Sequence, residues 1–134
     1  MRIAIVDDDR AVRKAMRRLL MASDFEVDDY ASGRELLAVL DHSRVDCVIA
    51  DLKTPDLGGA ELLSAFLARG SRVPVIIMTA FDTPQSRTEC ERLGAAAYLC
   101  KPVSERTLLS AIEAAVAAAE GTSKKDNRSS PSHD

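Results

Sequence analysis

A chain of 134 residues, 46% of them hydrophobic, supports one buried core and leaves little for a second. Its formal charge of −3 argues against a dedicated nucleic-acid surface, which needs clustered Lys and Arg. Cys47, Cys90 and Cys100 have neither paired nor metal-ligand spacing, and Cys47 and Cys100 fall in apolar strand-like runs, so buried reduced thiols and a cytoplasmic setting are expected.

The first apolar run, Arg2 to Val6, reads as a strand and stops at Asp7-Asp8-Asp9. Arg10 to Ser23 follows as a helix, with Val12, Ala15, Met16, Leu19 and Leu20 at the spacing of one apolar face. Glu26 to Tyr30 alternates apolar and acidic residues, as an edge strand does, and Ser32 to Asp41 reads as the second helix. Val45 to Ala50 is the third strand, continuously apolar from Cys47, and runs into Asp51, with Pro55 and Gly58-Gly59 behind it and a helix from Gly59 to Arg69. Pro74 to Thr79 is the fourth strand. Thr83 as N-cap and Pro84 as first residue open a helix to Leu93 that is polar apart from Cys90 and can add little to a core. Ala97 to Cys100 is the fifth strand, ahead of Lys101-Pro102, and Ser104 to Glu120 the fifth helix, with Leu108, Ile112, Ala115 and Ala119 on one face.

Gly121 is expected to stop that helix, leaving residues 1–120 as the domain and 121–134 as a disordered polar tail. The N-terminus enters a strand without a basic leader, and no run reaches the roughly 18 apolar residues that span a bilayer, so neither export nor anchoring is expected. Strands alternating with helices imply an α/β, doubly wound (βα)5 sandwich of the flavodoxin-like kind. Its five-stranded parallel sheet is expected in the order 2-1-3-4-5 because the second strand alone alternates.

In that order the switch point lies between strands one and three, where ligands bind outside the carboxyl ends. Asp7, Asp8, Asp51, Thr79 and Lys101 would gather at that edge. Carboxylates at 4 Å repel by roughly 4 kcal/mol per pair at an effective dielectric of 20, and a small divalent cation relieves the conflict. Mg²⁺ is commonly held by one or two carboxylates, so Asp8 and Asp51 suit direct ligation, with Asp7 acting through water. Asp51 can then attack phosphorus, while Lys101 and the Thr79 hydroxyl meet the equatorial oxygens of the phosphoryl group.

Val6-Asp7-Asp8-Asp9, Asp51 followed by Pro55 and Gly59, Thr79-Ala80 and Lys101-Pro102, in this order and spacing, resemble the receiver domain of two-component response regulators. Val12-Arg13, Asp56-Leu57 and Glu61-Leu62-Leu63 look like the receivers that precede a helix-turn-helix output domain. The resemblance implies that Asp51 takes phosphate from a sensor histidine kinase or phosphotransfer protein. It also implies a Mg²⁺ site of Asp7, Asp8, Asp51 and the Lys53 carbonyl, a cis peptide before Pro102, and Tyr98 as an aromatic switch coupled to Thr79. The output face would be helix four, strand five and helix five, acting on a downstream protein or a missing output domain, as a monomer or a phosphorylation-favoured homodimer.

Two positions depart from the family pattern: Thr54 replaces the usual Met before the proline, and Phe81 is bulky where small or polar residues are frequent. Phe81 is expected to shield the phosphoryl group from water. The competing readings are a phosphorylation-independent interaction module of the same fold and an aspartyl-intermediate phosphatase. The second lacks an acid two residues past Asp51, where Lys53 stands, and a nucleotide-binding enzyme is disfavoured because no Gly-rich phosphate loop follows the first strand.

Overall fold

The computed structural model describes residues 1–128, with side chains through residue 121. Five strands, β1 (Arg2–Val6), β2 (Glu26–Tyr30), β3 (Cys47–Asp51), β4 (Val75–Thr79) and β5 (Ala97–Cys100), form one parallel sheet in the order β2-β1-β3-β4-β5. The helices between and after them are α1 (Arg10–Ala22), α2 (Gly33–Leu40), α3 (Gly59–Ala68), α4 (Pro84–Arg92) and α5 (Glu105–Arg128).

The continuous apolar runs follow from burial on both sides of the sheet. Ala4, Val6, Val48, Ala50, Val75 and Ile77 turn to one face and pack with Leu36, Leu62, Leu63, Phe66 and Cys90 of α2, α3 and α4. Ile3, Ile5, Cys47, Ile49, Ile76 and Met78 turn to the other, against Met16 and Leu20 of α1 and Leu108, Ile112 and Ala115 of α5. Each such Ile or Leu contributes about 1.5–3 kcal/mol by burial, so truncating Ile49 to Ala would cost about 2–5 kcal/mol. In β2 Val27 alone is buried, which makes this strand the edge its alternation implies.

Side-chain caps fix where four helices start, with Ser104 Oγ accepting from the Thr107 amide at 3.1 Å ahead of α5. The Asp9 carboxylate accepts from the amides of Ala11 and Val12 at 2.9 and 3.3 Å, Ser32 Oγ from Glu35 at 3.2 Å, and Thr83 Oγ1 from Ser86 at 3.0 Å. Such a cap stabilises a helix by about 1 kcal/mol. Pro84 opens α4, where its missing N–H costs nothing. Only Cys90 of α4 is buried, so this helix is the one least tied to the core.

Two expectations are corrected. Gly121 does not end the last helix: α5 runs on to Arg128, so the part of the expected tail within the described residues is helical. A single glycine costs a helix interior only about 1 kcal/mol relative to Ala, and none of the residues from Gly121 to Arg128 is proline. Residues 129–134 of that tail lie outside the described residues. Cys100 is exposed, whereas Cys47 and Cys90 are buried. It is the last residue of the edge strand β5, which has a neighbouring strand on one side only. Among the described residues no helix is long and apolar enough to cross a membrane.

Candidate functional site

β1 and β3 are neighbours in register, Val6 opposite Ala50, so Asp7, just past β1, and Asp51, the last residue of β3, emerge side by side at the switch point. Carboxylate oxygens of Asp7, Asp8 and Asp51 all lie within 4.8 Å of one another. Asp7 is only 3% exposed, and every polar atom it has is engaged. Its amide donates to the Tyr30 carbonyl at 3.1 Å and its carbonyl accepts from Arg13 Nη1 at 2.7 Å. Its Oδ1 accepts from the Asp9 amide at 2.9 Å and its Oδ2 from Lys101 Nζ at 3.0 Å. Asp8, by contrast, is exposed, and no hydrogen bond or ion pair engages its carboxylate among the described residues.

Lys101 follows β5, and its amide donates to the Thr79 carbonyl at 2.8 Å, which ties the ends of β4 and β5 together. The ammonium then spans the cluster, 3.0 Å from Asp7 and 3.6 Å from Asp51. Burial pushes the Asp51 carboxyl above its usual range; Lys101 pulls it down, Asp7 pushes it up, the Lys53 amide lowers it and Asp8 raises it. Burial alone would lower Lys101, but the hydrogen bond and charge of Asp7, and then Asp51, outweigh it and hold the ammonium above its ordinary value. A carboxylate lifted by burial and two like charges, beside one lysine, is an acidic site short of positive charge. Its all-oxygen donor set, with Asp8 free and Asp51 only partly neutralised, fits a hard divalent cation.

The loop after Asp51 is shaped by close approach. A Cβ on Gly58 would stand 2.5 Å from the Leu52 carbonyl oxygen, and one on Gly59 would stand 2.8 Å from Ile77 Cδ1 and 3.1 Å from the Asp51 carbonyl oxygen. The glycines therefore let α3 begin directly against the strand end that carries Asp51. Leu57 adopts φ +83°, rare for a side-chain-bearing residue, and its carbonyl accepts from both the Gly33 amide and Thr54 Oγ1 at 3.0 Å. Thr54, the departure from the family pattern, thus pins the strained turn through its hydroxyl. Lys53 is exposed beside it.

Thr79 ends β4 fully buried, and its Oγ1 accepts from the Phe81 amide at 2.9 Å. Phe81 itself is 68% exposed, so its ring stands largely in solvent in this conformation. The Lys101–Pro102 peptide is cis. Tyr98, in the middle of β5, packs against the core on the α4 side. Its hydroxyl is buried without a hydrogen-bond partner among the described residues. Burial pushes that phenol up to about 12, and the nearby Asp82 carboxylate adds to the rise. Arg87, which nothing in the sequence singles out from its polar helix, lies with its guanidinium carbon 4.6 Å from the Tyr98 ring centroid. It also pairs with Asp82 at 3.1 Å and donates to Cys100 Sγ at 3.7 Å.

Residues 3–113 match the family model of the response regulator receiver domain. The chain belongs to that family. The receiver is 34% identical over 128 residues to the transcriptional regulatory protein QseB of Escherichia coli O157:H7, covering 96% of this chain and 58% of that one. It is 36% identical over 113 residues to the response regulator MprA of Mycolicibacterium vanbaalenii, covering 84% and 49%. It therefore spans about half the length of the curated relatives it matches. Among solved structures, a CheY-like receiver domain protein from Methanospirillum hungatei superposes with a TM-score of 0.83 at 32% identity, over 90% of this chain and 97% of that one. Full-length FixJ from B. japonicum gives 0.85 at 32%, over 94% and 62%. Phosphorylation-controlled signalling in two-component systems is the work of this family, whose receivers bind Mg²⁺ at an acidic pocket, and Asp7, Asp8 and Asp51 form an acidic cluster here.

Proposed function

We propose that Asp51 is the phosphoacceptor of a signalling switch, with Thr79 and Lys101 serving the transfer and Asp7, Asp8, Asp51 and the Lys53 carbonyl holding Mg²⁺. The observation that carries this reading is the three-carboxylate cluster with a single ammonium laid across two of its members. Bound Mg²⁺ would offset the carboxylates and the charge of the incoming phosphoryl group. An Asp51 oxygen attacks phosphorus, the bond to the histidine nitrogen of the donor kinase breaks, that imidazole recovers a proton, and an acyl phosphate remains. Lys101, fixed by Asp7, is already placed to follow an added oxygen on Asp51 without leaving its first partner. Thr79 would give up the Phe81 amide and turn its hydroxyl to the phosphoryl group, and Tyr98 would follow.

Phosphorylation adds about −1.5 to −2 charges to a pocket that is already acidic. The response is carried by the loop after Thr79 and by α4, whose weak attachment to the core suits a movable face together with β5 and α5. A sensor histidine kinase or phosphotransfer protein is the proposed donor, and a downstream protein or an output domain the proposed receiver of the signal, in the cytoplasm, with or without homodimerisation. The protein's own chemistry would be self-phosphorylation and slow self-hydrolysis, without turnover of an external substrate.

The test is intact mass after incubation with acetyl phosphate, with and without Mg²⁺, for wild type and Asp51→Asn. A Mg²⁺-dependent gain of one phosphoryl group in wild type alone is expected. No gain together with no Mg²⁺ binding would leave a receiver fold used only as an interaction surface.

A further inference from the structure

The carbonyl of Asp7 is buried at the strand end and could have been left to water or to a backbone amide. It is met instead by a guanidinium: Arg13 Nη1 at 2.7 Å, from the first turn of α1. The Arg13 side chain is only 16% exposed and is itself held, Nε to Asp29 Oδ2 at 3.1 Å. Arg17, one turn on, takes the other Asp29 oxygen at 3.3 Å and the Val27 carbonyl at 3.0 Å. Two arginines and one carboxylate thus brace the end of β1 against the neighbouring strand β2.

The carbonyl that Arg13 grips belongs to the peptide between Asp7 and Asp8. That unit is planar, so fixing its oxygen fixes the amide and Cα of Asp8 as well. A charge-assisted bond to a planar, forked donor is both stronger and more directional than a neutral one. Asp8 needs such a constraint, because its carboxylate has no partner of its own among the described residues. Asp7 is already held by its three other bonds, to Tyr30, Asp9 and Lys101, and does not.

We propose that Arg13 is a positioning residue that aims the Asp8 carboxylate at Mg²⁺ by fixing the Asp7–Asp8 peptide. The inference rests on the Mg²⁺ site proposed above. Charge and geometry make opposite demands on it, which gives the idea its test. A cation beside a cation site weakens binding through Coulomb repulsion, so removing the guanidinium charge alone would tighten Mg²⁺. Losing the aim of a ligand would loosen it, on the order of tenfold for a group that orients a metal ligand.

Mg²⁺ dissociation constants measured calorimetrically on the full chain decide the matter. Arg13→Gln is expected to bind Mg²⁺ about tenfold more weakly than wild type, against the sign of the charge effect. Asp29→Asn, which leaves the guanidinium on the Asp7 carbonyl, is expected to weaken it less. Equal or tighter binding in a folded Arg13→Gln protein overturns the proposal, because a brace of the fold alone would lower Tm and leave Mg²⁺ affinity unmoved. Should Arg13→Gln not fold, Arg13→Lys carries the test. Its single nitrogen keeps the charge but cannot hold Asp7 and Asp29 in the same fork, so weakened binding supports the proposal and wild-type binding overturns it. If wild type itself binds no Mg²⁺, the metal site fails first and this inference with it.

Discussion

The Arg87 guanidinium lies over the face of the Tyr98 ring, 4.6 Å from its centroid, while the same group pairs with Asp82 at 3.1 Å. One side chain thereby joins the loop after Thr79, helix α4 and strand β5, the three pieces that the proposed switch would move. Arg87→Ala is expected to lower Tm only slightly, since the group is at the surface, but to release the Tyr98 ring. Ring signals of Tyr98 by NMR should broaden or split in the variant. A single sharp set, identical to wild type, would show that the stack does not hold the ring.

Asp51 supplies a pH prediction whose sign is fixed by its raised carboxyl. A group whose folded pKa lies above its unfolded value contributes its full stabilisation below the unfolded value, about 3.9 for Asp, and loses it as pH rises through the folded one. At pH 7 without metal, ionised Asp51 is therefore a burden, and Asp51→Asn should melt a few degrees higher than wild type in chelator. At pH values below the ordinary carboxylate range the difference should close. A variant that melts lower at pH 7 would mean that its loss of the Lys101 contact outweighs relief from burying the charge and from Asp7 and Asp8.

Phe81 is exposed, so Phe81→Ala should leave stability within about 0.5 kcal/mol. Its amide bond to Thr79 would be surrendered when Thr79 turns, which frees the loop to bring the ring over the phosphoryl group. A several-fold shorter phosphoryl lifetime in Phe81→Ala, followed by intact mass after donor removal, is the expected result. A lifetime no shorter than wild type would rule out shielding.

Gly58→Ala tests how strictly the loop behind Asp51 is built. The new methyl would meet a backbone oxygen at 2.5 Å, which cannot swing aside as a flexible side chain can. A loss of about 1–3 kcal/mol in urea unfolding is expected, together with slower phosphorylation as the strand end is displaced. An unchanged midpoint would mean that the Leu52 carbonyl moves freely.

Sheet order was readable because parallel burial writes itself into residue pattern: Ile3 to Val6 is apolar on both faces and Glu26 to Tyr30 on one. The convergence of Asp7, Asp51 and Lys101 followed from that order, since each stands at or just past a strand end. Contacts made by long side chains are not legible in the same way. Arg13, Arg17 and Arg87 look alike in a one-dimensional reading, as polar residues on solvated helix faces, and only the packing of α1 and α4 shows which carbonyl, carboxylate or ring each can reach. The end of α5 is illegible for another reason. A glycine stops a helix only if the backbone there turns left-handed, and composition does not say whether it does.

The exposure of Cys100 gives this protein a built-in spectroscopic handle. Cys47 and Cys90 are sealed in the two halves of the core, so a thiol-selective dye meets one accessible sulfur in the native fold. That sulfur sits one residue before Lys101 and against Arg87, between the acidic pocket and the face proposed to move. A fluorophore attached there would read pocket occupancy and α4 displacement from the wild-type sequence, with no engineered cysteine.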